Sequence, residues 1–322
     1  MTVAVIGGTG FLGKAVARRL LAGGQDVLVI ARGREPVALP PGVKFEAADR
    51  MDSGAIAALL KANGVTAIID IFTLSLRNTQ PVLDAVGTVG GRYVLVSSTD
   101  VYSNYGGLLK KENPAVRLEP ATEDSPLRTL RFPYRGNSRR PKGVEDGLFE
   151  DYDKIPIEEA ARADTRFETT ILRLPMIFGP EDKQHRFAWA IKNATAGQPF
   201  TIDARAAKAR NSYGYIDDMA EALVLGATHP AAAGRTYNAA QREVRTVRQW
   251  AETILDAMGV EAEIVAVPSE AKGIMFERAE ASNMDYPLTL DSTRIRTELG
   301  YAETISEREA LERTIAWELS QN

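Results

Sequence analysis

The sequence predicts an α/β protein, a doubly wound parallel sheet domain with a smaller, interleaved C-terminal lobe. Three observations lead there. Strand-like and helix-like runs alternate over the first hundred residues, the order that builds a parallel sheet with helices on both faces. The strand-like runs are apolar throughout, as in strands covered on both sides. At 322 residues the chain is too long for one small core and suits a large domain plus a lobe.

Each element has its own signal. Residues 3–6 (VAVI) read as the first strand. Residues 11–24 read as a helix with Leu12, Val16 and Leu20 on one face and a glycine pair at its end. Strands are expected at 26–32, 43–48, 66–72 and 92–98, with helices at 53–64 and 79–90. From Asp100 to Asp151 the chain is rich in Pro, Gly, Arg and Glu and has no clear period. An insert of this length is uncommon in a compact domain and often functional. Regular structure resumes with a helix at 155–164 and one long strand at 169–179. Further helices are expected at 186–197, 217–229, 246–259 and 307–320. No repeat and no flexible linker separates the parts, so the lobe interleaves with the sheet domain.

Composition narrows the function. Lys and Arg total 39 against 43 Asp and Glu, a formal charge of −4, so no general attraction to nucleic acid or anionic membrane is expected. Cysteine is absent, which excludes disulfides and thiol catalysis and fits a reducing compartment. With only His185 and His229 besides, no metal site is expected. The first ten residues carry neither a basic nor a long apolar segment. No apolar run approaches the roughly 20 residues of a membrane span. The expectation is a cytoplasmic protein with a small-molecule substrate.

The strongest motif is VAVIGGTGFLGKA (3–15). Gly8, Gly10 and Gly13 fit G-x-G-x-x-G, and Gly7, Gly10 and Gly13 fit G-x-x-G-x-x-G. A strand runs into the motif and a helix starts inside it, the context of a dinucleotide cradle. Gly7, Gly8, Thr9, Gly10, Phe11, Leu12 and Gly13 are the expected contacts, with the diphosphate on free N–H groups at the helix N-terminus. A triphosphate loop fits less well, because Ala15 stands where Ser or Thr should hold magnesium. The second strand ends in ARGREP (31–36), with Arg32 and Arg34 ahead of any carboxylate. A cation there accepts a ribose 2′-phosphate, so NADP is favoured over NAD. Asp49, after the third strand, is placed to meet the adenine end.

Further stretches carry a resemblance. GGTGFLG (7–13), VLVSSTDVYS (94–103), LRLPMIFGP (172–180), RNSYGYIDDMAEAL (210–223) and LTLDSTRIRTELGY (288–301) together resemble the extended or atypical short-chain dehydrogenase/reductase superfamily, with its epimerases and dehydratases. The resemblance implies a Rossmann-type domain over 1–178, with the insert 100–151, completed by about 210–238. It implies a substrate lobe from 179–209 and 239–322. Thr99 falls where the family polarises the reacting oxygen, and Pro175 falls near the nicotinamide. Dimers are common in the family, so a homodimer is possible. Sugar-nucleotide members usually carry an Asn within the segment that reads PMIFGP here, and this chain has none.

The family's catalytic Tyr-x-x-x-Lys is broken. Tyr152 is followed four residues on by Pro156, and Lys154 is preceded four residues back by Glu150. Lys154 is the preferred match, since Glu158 then keeps the carboxylate that family members often have beyond the lysine. Pro156 also suits a first helical turn. The tyrosine role stays open among Tyr152, Tyr102 and Tyr134, and Lys154 is itself a proton-transfer candidate if buried. YRGNSRRPKG (134–143) is either a solvated loop or a basic lid, and His185 and Arg186 are pocket candidates with a surface or packing role as the alternative. The expected catalytic set is Thr99, Tyr152 and Lys154, with Lys154 also holding the nicotinamide ribose as the resemblance implies, in an NADP-dependent oxidoreductase or epimerase moving hydride to or from a small hydroxyl or carbonyl metabolite. The rival is a non-catalytic dinucleotide-binding protein, a redox sensor or an RNA-binding module.

Overall fold

The fold, a computed structural model, is described over residues 1–33, 38–136, 146–196 and 199–321. The sheet strands are β1 (Thr2–Ile6), β2 (Asp26–Ala31), β3 (Lys44–Ala47), β4 (Val65–Asp70), β5 (Arg92–Ser98), β6 (Glu168–Leu174) and β7 (Thr236–Asn238). They lie in the order β7-β6-β5-β4-β1-β2-β3, every pair parallel. Five helices cover the two faces: α1 (Phe11–Ala22), α2 (Ser53–Ala62), α3 (Leu76–Val89), α4 (Lys154–Ala163) and α5 (Ile216–Thr228).

Period-two alternation explains the two cores. Val3, Val5, Val27 and Val29 face one side, against Leu12, Val16 and Leu20 of α1 and Met219 and Leu223 of α5. Ala4, Ile6, Leu28 and Ile30 face the other, against Ile56 and Leu60 of α2, Val82 and Val86 of α3, and Ile157 and Ala161 of α4. Both faces are dry, which is why these strands read as unbroken apolar runs. The exception is β3, an edge strand whose residues are exposed or half-buried.

Three expectations change. The single strand expected at 169–179 is two. Pro175 has no amide hydrogen with which to continue the ladder. β6 therefore ends at Leu174, and Met176–Phe178 turns away to pair with Tyr213–Tyr215. The helix expected at 79–90 starts earlier, at Leu76, because Ser75 and Asn78 cap it reciprocally. The described part of the insert, 100–136 and 146–151, is irregular yet tied to the rest of the fold. It carries a short helix at Ser103–Leu108, and Ala121 N donates to Thr289 O at 2.8 Å. Residues 137–145, most of the basic stretch 134–143, lie outside the described residues.

The C-terminal residues both join the sheet and build a layer beside it. Phe200–Asp203 pairs in parallel with Ile264–Val267. Around this pair pack the helices Ala188–Ala196, Val247–Met258 and Glu307–Ser320, with Phe178, Phe187, Tyr213 and Trp250 forming a buried aromatic cluster. Among the described residues no helix is long and apolar enough to cross a membrane.

Candidate functional site

The glycine turn divides its labour. Gly7 has φ +77°, a left-handed conformation that a side chain would strain. A Cβ on Gly13 would stand 2.4 Å from the Gly8 Cα, so these two let α1 lie against the turn after β1. Gly10 is different. It is exposed and caps α1, and a Cβ there would meet nothing within 4 Å. No side chain caps the first turn of α1. The first-turn N–H groups thus have no side-chain cap at the positive end of a 12-residue helix, with open space beside Gly10, the surroundings that a diphosphate needs. Thr9 and Phe11 are half-buried at its rim, and Leu12 is buried beneath it.

Arg32 is exposed just past β2, while Arg34 lies outside the described residues. Asp49 is exposed, and its carboxylate accepts from the Met51 N–H at 2.9 Å. Arg50 is committed to the fold. It holds the buried Asp70 through two bonds of 3.1 and 2.9 Å and donates to Asn78 O at 2.6 Å.

The broken pair resolves in the backbone before α4. Asp153 is the N-cap of that helix and is extended, with φ −164° and ψ 116°. Across an extended residue, side chains two apart share a face. Tyr152 and Lys154 therefore turn the same way, as positions i and i+4 would on a helix, and the Lys154 Nζ lies 5.8 Å from the Tyr152 ring centroid. Asp153 fixes this geometry. Its carboxylate accepts from Ile155 N at 3.1 Å, from Phe132 N at 3.0 Å and from Arg128 at 2.5 Å.

Lys154 is buried, and its ammonium donates to Thr73 O, Thr73 Oγ1 and Val96 O at 2.6, 2.9 and 3.1 Å. It ties the loop after β4 to the end of β5. Burial lowers its pKa to about 8, against the opposing pull of Asp100 and Asp70. Tyr152 is also buried, and its hydroxyl donates to Asp100 Oδ2 at 2.5 Å. Burial first, and then the Asp100 charge, push the phenol well above its ordinary value. Asp100 was not singled out in the sequence, though it directly follows Thr99 at a strand end with no basic neighbour. Its carboxyl is raised by burial, against the Tyr152 hydrogen bond and the charges of Arg128 and Lys154.

The other candidates separate. Thr99 is buried and lines a narrow cleft with Tyr102, Ser103 and Pro287. Its hydroxyl makes no hydrogen bond among the described residues. Tyr102 belongs to a structural network, donating to Asn238 Oδ1 at 2.6 Å and accepting from Arg173 at 3.0 Å. Tyr134 stacks on Phe149 at 4.5 Å, stands edge-on to Tyr152 at 5.0 Å, and shares a hydrogen bond with the Tyr105 hydroxyl. Glu150, in the tyrosine position of the family spacing, accepts from Gly136 N at 2.9 Å. Pro175 is buried where β6 ends. His185 stacks on Trp317 and meets Glu318 at 2.9 Å, and Arg186 bonds Ile177 O at 2.7 Å and Asp182 at 2.8 Å. These two fasten the segment after Phe178 in place.

Glu158, on the next turn after Lys154, is a buried structural acid. Arg173 binds it in bidentate fashion at 2.9 and 2.7 Å, and Ser97 donates at 2.6 Å. Burial would raise its pKa, yet the Arg173 bonds hold it below the ordinary value.

Residues 3–135 and 155–240 match the model of the NAD dependent epimerase/dehydratase family, and the match breaks over the stretch that holds Tyr152 and Lys154. The 2′-dehydrokanamycin reductase of Streptomyces kanamyceticus is 28% identical over 288 residues, covering 87% of this chain and 73% of its own. The dTDP-6-deoxy-L-talose 4-dehydrogenase (NAD(P)(+)) of Kitasatospora kifunensis is 26% identical over 291 residues, covering 83% of this chain and 82% of its own. The UDP-glucose 4-epimerase of Thermotoga maritima superposes with a TM-score of 0.71 at 18% identity, over 100% of this chain and 99% of that one. The glycine cradle, the seven parallel strands and the long two-part match make this chain an enzyme, not a bare binding module, and a member of the NAD dependent epimerase/dehydratase family.

Proposed function

We propose that the protein is an NADP-dependent oxidoreductase or epimerase acting on a small metabolite that bears a hydroxyl or carbonyl group. The observation that carries this reading is the uncapped first turn of α1 past the end of β1, with Tyr152 and Lys154 buried side by side by the neighbouring strands β4 and β5. When bound, the dinucleotide supplies or accepts hydride at its nicotinamide ring.

The chain's residues do the rest. Gly7, Gly8, Thr9, Gly10, Phe11, Leu12 and Gly13 hold the diphosphate by backbone amides. Arg32 meets the 2′-phosphate and Asp49 the adenine end, and the Arg32 cation is what favours NADP. The Thr99 hydroxyl polarises the substrate oxygen, Tyr152 exchanges the proton, and Pro175 packs near the nicotinamide. Lys154 donates to Thr73 and Val96, so in place of a bond to the nicotinamide ribose its contribution is a fixed positive charge beside Tyr152 and Asp100. The sheet part, 1–178 completed by 210–238, holds the dinucleotide, and 179–209 with 239–322 holds the substrate. The protein works in the cytoplasm and forms a homodimer.

Titration calorimetry with NADPH, NADP, NADH and NAD tests the cofactor. Incubation of the same protein with a panel of sugars, alcohols and ketones, followed at 340 nm and by product analysis, tests the reaction. The proposal fails if none of the four nucleotides binds. It also fails if Tyr152→Phe and Thr99→Ala both turn over every active substrate at the wild-type rate.

A further inference from the structure

We propose that Asp100 stores the proton of the reaction, acting through the Tyr152 hydroxyl as a proton-holding and positioning residue. This rests on the reading of the protein as a hydride-transfer enzyme.

The geometry comes first. The Tyr152 hydroxyl has a carboxylate partner, at 2.5 Å, and both residues are buried. The Lys154 ammonium has its three donors on Thr73 O, Thr73 Oγ1 and Val96 O, so the phenol is not its hydrogen-bond partner. The second oxygen of Asp100, Oδ1, is buried with no hydrogen-bond partner among the described residues. A buried carboxylate oxygen left unpaired is costly, and a proton on the carboxyl removes the charge.

The surroundings point the same way. Arg128 and Lys154 favour the Asp100 carboxylate, while Asp153 and burial favour its acid form. The hydroxyls of Tyr105 and Tyr134 complete the groups that face it. A lone Tyr152 phenolate is disfavoured by burial and by Asp100 itself. A relay avoids that species. In the oxidising direction the substrate O–H bond breaks and its proton goes to the Tyr152 oxygen. The Tyr152 O–H bond breaks as its own proton goes to Asp100 Oδ2. The bonding pair stays on the substrate oxygen and becomes the second bond of the carbonyl, as the carbon loses hydride to the nicotinamide dinucleotide. Asp100 gains one proton and Tyr152 stays neutral throughout. Reduction runs the same transfers backwards.

The test labels aspartate carboxyls with carbon-13 and follows them by NMR from pH 3 to 9 in wild type, Asp100→Asn and Tyr152→Phe, without nucleotide. The resonance missing from Asp100→Asn identifies Asp100. It should titrate above the ordinary aspartate value of about 3.9, and higher still in Tyr152→Phe, which lacks the hydrogen bond that favours the carboxylate. With a substrate from the panel and NADPH or NADP, Asp100→Asn should lose about 100-fold or more in kcat with little change in KM, as removal of an acid–base group does. Asp100→Glu should restore part of kcat, with a displaced pH profile. An Asp100 that titrates normally and ignores Tyr152→Phe overturns the proposal. So does an Asp100→Asn enzyme with the wild-type kcat and pH profile. Failure of the enzyme reading looks different, because no nucleotide then binds the wild type, while the carboxyl titration still decides whether Asp100 and Tyr152 share a proton.

Discussion

Gly10 and Gly13 sit three residues apart in one motif, and replacing each by alanine should break different things. At Gly10 the backbone is extended and a Cβ meets nothing within 4 Å, so Gly10→Ala costs the fold only a poorer helix cap, about 1 kcal/mol or less. The new methyl projects from the end of α1 into the space where diphosphate oxygens would approach to about 2.9 Å from the amides. Charge-assisted hydrogen bonds of this kind contribute about 1.5–3 kcal/mol each. Losing one of them weakens nucleotide binding by about 10-fold or more. At Gly13 the Cβ would stand 2.4 Å from the Gly8 Cα and 2.6 Å from its carbonyl carbon. These are backbone atoms, so α1 must shift, at about 1–3 kcal/mol or more of folding stability. Urea melts with calorimetry on both variants give the measurement. The expected pattern is near-wild-type stability with weak NADPH binding for Gly10→Ala, and a lowered midpoint for Gly13→Ala. A Gly10→Ala protein that binds NADPH as tightly as wild type, or that melts as early as Gly13→Ala, refutes the reasoning.

Arg173 and Lys154, two of the buried cations, and the cofactor choice give the other expected outcomes. Arg173→Met leaves Glu158 buried without its bidentate partner and should cost about 3–5 kcal/mol in a urea melt at pH 7. Because Glu158 is depressed by this pair, the stabilisation is present above its unfolded pKa and lost as pH falls through the folded one. The deficit of Arg173→Met should accordingly shrink toward acid pH, and a constant deficit would argue against the pair as its source. Lys154, lowered to about 8, binds its proton less tightly folded than unfolded. Wild type should therefore gain stability relative to Lys154→Met as pH rises from about 8 toward the unfolded lysine value of about 10.4, and urea melts across that window should show no such gain only if Lys154 is not desolvated. Arg32→Ala should lower affinity for NADPH about 10-fold while leaving NADH unchanged, and equal losses for both would remove Arg32 from cofactor selection.

What was readable in the sequence was local. The glycine turn, the apolar strands and the helix of Leu12, Val16 and Leu20 each carry their signal within about a dozen residues, and the sheet follows from their order. The long apolar run around Pro175 reads as one strand, although a proline without an amide hydrogen is where the ladder stops. The four-residue pair Phe200–Asp203 and Ile264–Val267 was missed because each is too short to show a period and they meet across some 60 residues. Tyr152 and Asp100 are 52 residues apart, joined only by the fold. The Tyr-x-Lys spacing was illegible for another reason. The helix is expected only from residue 155, so nothing in the sequence fixes the backbone at Asp153, and its extended conformation is what turns Tyr152 and Lys154 the same way.

The late arrival of β7 and α5 has a consequence for how the molecule is made. β6 has no partner on its outer edge until residues 236–238 pair with it, and the face of β4 to β6 stays uncovered until 216–228 arrive. On the ribosome, more than two hundred residues emerge before the parallel sheet can close. A nascent chain halted near residue 178 presents an open strand edge and a bare apolar face, the features that draw chaperones and seed aggregates. A cut near residue 178 would leave the sheet without its last strand and the helix that covers β4 to β6.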